Sequence, residues 1–204
     1  MQENTNTSRL GDILQKNGGY ITRRQIDQNG IKSWFLTDFV RKENLEKLAA
    51  GFYAKPDWIT DDFLVFQYKY PKFIFSYESA LYLLNLADSL PQAFEVTGPK
   101  NYRPFSPKEN IAIIHTDYKK ETYELGIAEV ETNLGNKVLA YNAEKTVCDL
   151  IRRSEKIDSE IYTKALYNYS KLKNKNPGRL IEYAKIIGIQ KKVYDTMMVV
   201  LNEL

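Results

Sequence analysis

The chain is 204 residues long, enough for one well-buried domain or for a small domain followed by a medium one. Hydrophobic residues make up 43% and charged ones 27%, an ordinary globular profile, and no stretch approaches the ~18–20 uncharged apolar residues of a membrane-spanning helix. The opening Met1-Gln2-Glu3-Asn4-Thr5 is polar and predicts no secretory signal, and the single cysteine, Cys148, excludes an internal disulfide framework, so a cytoplasmic protein without a membrane partner is expected.

Within 7–16, Leu10, Ile13 and Leu14 recur at i, i+3 and i+4 and predict one apolar face of a short helix, which Asn17-Gly18-Gly19 ends. Thr22 followed three residues later by Gln25 is a capping-box signature, predicting a second helix over 23–29 that stops at Gly30. Ile31-Lys32 reads as the turn and Ser33 as the cap of a third helix. Its apolar stripe is Leu36, Phe39 and Val40, and its opposite face holds Thr37, Arg41 and Lys42. Two short helices joined by a tight glycine-containing turn form a helix-turn-helix pattern. The runs Leu45-Glu46-Lys47-Leu48 and Phe52-Tyr53-Ala54, separated by Ala49-Ala50-Gly51, predict a β-hairpin. Three helices closed by a hairpin make a winged helix. Lys55-Pro56 ends the module, giving an expected domain over 1–56, with Leu10, Ile13, Leu14, Ile21, Ile26, Leu36, Phe39, Val40, Leu45 and Leu48 as its core.

Residues 57–204 are expected to form a larger α+β domain with a small sheet and C-terminal helices. Thr60-Asp61-Asp62 fits the cap of a helix over 61–69, although 63–66 would also suit a strand. A helix is predicted over 76–84. Strands follow at 94–97, 111–115, 126–130 and 138–141, the last two paired across Asn133-Leu134-Gly135-Asn136. Helices then cover 143–153, 159–172, 177–187 and 190–201, with Pro177 in a first turn and Gly188 as a terminator. Strands followed by a block of helices imply α+β and not a doubly wound sheet.

Taken together, Gly30-Ile31, Leu36, Phe39-Val40, Leu45-Glu46 and Gly51-Phe52-Tyr53 resemble the N-terminal winged helix of AbiEi-type antitoxin/repressors. Ser76-Tyr77-Glu78-Ser79-Ala80-Leu81 looks like that family's Ser-x-x-Ser-Ala-Leu helix, and Ala143-Glu144-Lys145-Thr146-Val147-Cys148-Asp149-Leu150 looks like its Glu-Lys-Thr-x-x-Asp helix. The chain departs from the family at Glu43-Asn44, where many relatives have glycine, and at Ala50, often arginine. The resemblance implies the antitoxin of a type IV toxin–antitoxin system used in abortive infection and phage defence. Such a protein represses its own operon at double-stranded operator DNA, with inverted repeats in its own promoter as the expected site, and counteracts a nucleotidyltransferase-like toxin without necessarily forming a stable complex.

A DNA reader needs side chains that reach base edges and others that grip phosphates. On the third helix Ser33, Thr37 and Arg41 are the base candidates, with Trp34 or Asp38 as further possibilities; arginine is favoured because it can be bidentate to guanine. Arg23, Arg24, Lys32, Lys42, Lys47 and Lys55 are the nearby phosphate candidates. The net charge of +3 is unevenly spread: residues 61–144 hold 8 basic and 12 acidic side chains, whereas 164–192 hold 8 and 1. That basic series, Lys164, Lys171, Lys173, Lys175, Arg179, Lys185, Lys191 and Lys192, is a second candidate phosphate surface or a solvated face. Tyr167 and Tyr169 interleave it, which suits stacking on single strands but at helical spacing favours core or rim.

No catalytic role is expected. His115, the single histidine, closes an apolar run and reads as an end-of-strand residue. The sequence has no metal-ligand cluster, no phosphate-cradling glycine loop and no nucleophile elbow, so neither a metal nor a cofactor is expected. The competing readings are an interaction module that neutralises a partner without using its winged helix on DNA, and a nucleic-acid-modifying enzyme.

Overall fold

The computed structural model describes residues 2–105 and 111–202, and over these it is a mixed α+β protein with ten α-helices and two small sheets. Residues 1–69 and 70–204 make two compact units.

The first unit runs α1 (Gln2–Lys16), β1 (Tyr20–Thr22), α2 (Arg23–Gln28), α3 (Ser33–Lys42), β2 (Glu46–Ala49), β3 (Phe52–Ala54) and α4 (Asp62–Lys69). Helices α1 to α3 close on Leu10, Leu14, Ile21, Ile26, Ile31, Leu36, Phe39 and Leu45, while Ile13 and Val40 pack half-buried against them. Leu48, expected inside, is only half-buried. The capping box is formed as expected: the Gln25 amide donates to Thr22 Oγ1 at 3.3 Å, and Gln25 Oε1 accepts from the Thr22 amide at 2.9 Å. Ser33 is not the cap of α3. Lys32 occupies that position without a side-chain bond, and Ser33 is the first helical residue. At the other end of α3, Asn44 takes φ 52°, and the Leu45 amide reaches the Val40 carbonyl at 2.9 Å. Asparagine tolerates the left-handed region better than most residues, so it can end this helix without glycine.

The expected hairpin is present as β2 and β3, with an irregular register between Lys47 and Ala49. A third strand was not anticipated: β1 pairs antiparallel with β3, Tyr20 opposite Ala54, giving the order β1-β3-β2. The unit also extends past the expected boundary at 56. Phe52 is stacked on Tyr20 at 5.2 Å, flanked by Trp58 at 5.8 Å and met edge-on by Tyr68 of α4 at 5.2 Å. The Tyr68 hydroxyl donates to the Gly51 carbonyl at 2.9 Å, so α4 completes this unit and does not begin the next.

The second unit contains β4 (Ile74–Phe75), α5 (Tyr77–Leu83), β5 (Phe94–Pro99), β6 (Ala112–Asp117), α6 (Lys120–Glu124), β7 (Ile127–Glu131) and β8 (Lys137–Tyr141). The helices α7 (Ala143–Arg152), α8 (Ser159–Lys171), α9 (Pro177–Ile187) and α10 (Gln190–Asn202) follow, with a 3-10 turn at Ser154–Lys156 between α7 and α8. The sheet order is β6-β5-β4-β8-β7; β5 and β6 are parallel, as are β4 and β8, and the other pairs are antiparallel. Helix α7 lies at the centre of the helical half, packed against α5, α8, α9 and α10, with residues 144–151 all buried. Its start is fixed by the Asn142 side chain accepting from the Lys145 amide at 3.0 Å. Helix α9 has the expected limits, with Pro177 at its start and Gly188 left-handed at φ 81° after its end.

Candidate nucleic-acid interface

Leu36 and Phe39 fix which side of α3 faces inward. They sit in the core, so Thr37, Asp38, Arg41 and Lys42 must face solvent, and all four are exposed. Ser33, Thr37 and Arg41 fall at i, i+4 and i+8 and form one outward row, although Ser33 is half-buried. Trp34, 49% exposed, lies stacked on Phe35 beside this row. The Arg41 guanidinium rests on Asp38 at 3.1 Å, with the two side chains 84% and 61% exposed. A pair this solvated contributes ~0–1 kcal/mol, so Arg41 can leave it for a stronger acceptor at little cost.

The other cations of this unit are of two kinds. Lys32, Lys42, Lys47 and Lys55 are exposed. Arg23 is exposed but pairs with Asp27 at 3.1 Å, and Arg24 lies 5.5 Å from the centre of the Tyr68 ring. The β2–β3 turn is pinned to the helices. The Gly51 carbonyl accepts from the Arg23 amide at 2.6 Å, and φ 77° at Gly51 with Arg23 Cβ 2.8 Å from any added Cβ leaves room for glycine alone. An interaction that the sequence reading missed ties α1 to the turn before α3, where Arg9 Nη2 donates to the Asn29 carbonyl at 2.7 Å.

In the second unit the basic series is not one free surface. Lys164 pairs with Asp88, Lys191 with Asp195 at 2.7 Å, and Arg179 reaches the buried Glu144 carboxylate at 3.5 Å. Lys175 is half-buried and donates to the Leu172 carbonyl at 3.2 Å. Lys171 lies over the Tyr167 ring, while Lys173, Lys185 and Lys192 are exposed. Tyr169 is a core residue, 1% exposed, and Tyr167 stays at the surface.

Charged residues that the sequence reading left as helix motif are buried in α7. Lys145 Nζ donates to Asp149 Oδ2 at 2.5 Å and lies 4.2 Å from the centre of the Tyr141 ring; Arg152 Nη2 sits 2.9 Å from Asp149 Oδ1. Glu144 accepts from the Asn176 amide at 2.9 Å. Nor does His115 end its strand: β6 runs on to Asp117. Arg153 Nη1 donates to His115 Nδ1 at 2.8 Å, which leaves the ring proton on Nε2 facing Glu95 Oε1 at 3.0 Å. Tyr77 lies against the imidazole with ring centres 4.2 Å apart, and burial, followed by the nearby Asp149 charge, raises its phenol above the ordinary value. Among the described residues no group of three or more His, Cys, Asp and Glu side chains could hold a metal ion, and no helix is long and apolar enough to cross a membrane.

Neither a family model nor a curated protein sequence matches this chain. The fold is similar to that in the crystal structure of RV2827C protein from Mycobacterium tuberculosis, at 13% identity and a TM-score of 0.53, over 86% of this chain and 69% of that one. Identity at this level carries the fold alone.

Proposed function

We propose that the first unit is a winged helix-turn-helix whose α3 reads the major groove, and that the protein is an autoregulatory DNA-binding repressor in the cytoplasm. In this reading it acts as the antitoxin of a type IV system against a nucleotidyltransferase-like toxin, with DNA and not catalysis as its chemistry. The observation that carries it is the outward row Ser33–Thr37–Arg41 on a helix whose other face is locked in a core. Exposed Lys32 and Lys42 flank that row, and the β2–β3 hairpin is fixed to the helices at Gly51. The antitoxin part rests on the motif resemblance of α5 and α7.

Arg41 supplies base contact and Lys42 phosphate contact. A gel shift on the DNA upstream of the protein's own reading frame should show specific binding. Arg41→Ala should cost ~1–3 kcal/mol on that DNA and relax its specificity, whereas Lys42→Ala should weaken all sequences alike. Equal losses on specific and random DNA for both variants would remove the assignment, and no shift at all would remove the DNA reading.

The second reading, a module that neutralises a protein partner without using DNA, draws on one feature: Lys164, Arg179 and Lys191 already have carboxylate partners. A protein that binds no upstream DNA yet still suppresses the toxin favours it.

A further inference from the structure

A cavity of about 310 Å³ opens beside the C-terminal ends of the parallel strands β5 and β6, where α5, α7 and α9 converge. That volume is at the lower end of the ~300–1,000 Å³ range of small-molecule sites. Its floor is the Lys145–Asp149–Arg152 cluster, in which two cations share one carboxylate and leave a positive charge uncompensated. Arg152 is 39% exposed, so its remaining N–H groups are open to a ligand. Lys119 at the rim adds a third cation. The rim also carries a carboxylate, Asp117, which keeps its charge while accepting from Thr122 Oγ1 at 2.6 Å and from the Lys119 amide at 3.3 Å, so Lys119, Lys145 and Arg152 face Asp117 and Asp149 with one positive charge in excess. That single excess positive charge favours an anion over a cation, and a planar guanidinium fork on the floor suits the oxygens of a phosphate.

The mouth has a different character. Tyr118 is 72% exposed and Ile186 38% exposed, an aromatic and an aliphatic surface at the entrance of a charged cavity. One wall is built at the expense of backbone comfort. Tyr77 is held at φ 46°, a conformation disfavoured for a bulky residue, and its hydroxyl accepts from Arg152 Nη2 at 3.3 Å. Such strain persists only where the surroundings enforce it, and it clusters at ligand sites. Here it holds the phenol beside Arg152 and against His115, whose two nitrogens are both engaged.

The geometry points to a binding site for a small phosphomonoester carrying a flat ring, a nucleoside monophosphate in size and chemistry. The phosphate lies toward Arg152 and Lys119 and the ring against Tyr118 and Ile186. This is separate from the DNA reading and survives or fails without it.

The test is calorimetric titration of the full chain with adenosine and cytidine monophosphates, inorganic phosphate and adenosine. The monophosphates should bind more tightly than either phosphate or adenosine. Lys119→Ala should weaken them about tenfold, a shift of ~1.4 kcal/mol, and Tyr118→Ala should weaken the nucleotides while leaving inorganic phosphate unchanged. Both residues are at the surface, so unchanged thermal melts separate these losses from misfolding. Monophosphates that give no heat into the millimolar range overturn the site. Inorganic phosphate binding as tightly as the nucleotides overturns the ring contact, and binding indifferent to both variants places the ligand elsewhere.

Discussion

Three ionisable side chains, Glu144, Lys145 and Asp149, lie buried in α7, and each survives there because a partner is supplied. Glu144 takes the Asn176 amide and Arg179, while Asp149 takes Lys145 and Arg152. Such pairs add little net stability, but breaking one strands a charge in low dielectric. Asp149→Asn keeps the volume and removes the charge facing Lys145, so it should cost ~3–5 kcal/mol. Urea denaturation reads this directly, and a loss below 1 kcal/mol, smaller than that ~3–5 kcal/mol estimate, would show that Lys145 finds water instead. Gly126 makes room for this cluster. Its φ is 76°, and an added Cβ would stand 2.7 Å from Lys145 Cβ. Cys148 is on the same helix, its thiol donating to the Leu180 carbonyl at 3.7 Å, and burial first, with the Asp149 charge second, pushes it up to about 12. An ordinary thiol is half-ionised near pH ~8.5, so Cys148 should stay neutral and unreactive there. Alkylation of the native protein at that pH should be negligible and should become rapid in denaturant; rapid native labelling contradicts the burial.

The aromatic cluster on the first sheet sets the size of the N-terminal unit. A fragment over 1–56 keeps α1 to α3 and the three strands but loses α4 and strips Trp58 and Tyr68 from Phe52, which is fully buried in the chain. Aromatic pairs of this kind contribute ~0.5–1.5 kcal/mol each beyond area burial, and small units have little stability in reserve. A fragment over 1–69 should therefore give dispersed amide NMR spectra and melt well above the 1–56 fragment; equal melts would return the boundary to 56. The same elements show what the sequence could reveal. Where a cap and a period coincide, as at Thr22–Gln25 or Pro177 and Gly188, the expected helix and the observed one agree. Strands of two or three residues, β4 and β1, carry no readable period, and they exist because β5, β8 and β3 lie alongside. The outward row on α3 was legible because Leu36 and Phe39 fix its phase. The cavity was not, because Lys145 and Asp149 stood in the sequence only as part of a helix motif, and charged residues are seldom found fully buried. Their neighbours Tyr77 and His115 are distant in sequence.

At the scale of the whole molecule the open matter is charge. The basic excess over 164–192 looks uniform along the sequence, yet the fold divides it. Lys164, Arg179 and Lys191 have carboxylate partners, and Arg179 in particular holds a buried one, so replacing it would disturb the helical core along with any ligand. Lys173, Lys185 and Lys192 are exposed, and Lys171 lies at the surface over Tyr167. These four can exchange water for phosphate oxygens without leaving a carboxylate, and Lys191, 90% exposed, could leave Asp195 at as little cost as Arg41 leaves Asp38. If the second unit grips DNA together with the first, each phosphate contact contributes ~0.9 to the slope of log affinity against log salt. A variant with alanine at Lys171, Lys173, Lys185 and Lys192 should then lose operator affinity and flatten that slope by up to ~3.6, with its thermal melt unchanged. Exposed lysines contribute little to stability, so a melt that falls would mean they are structural. An unchanged affinity and slope would assign these charges to solvent or to a protein partner and leave DNA to the first unit alone.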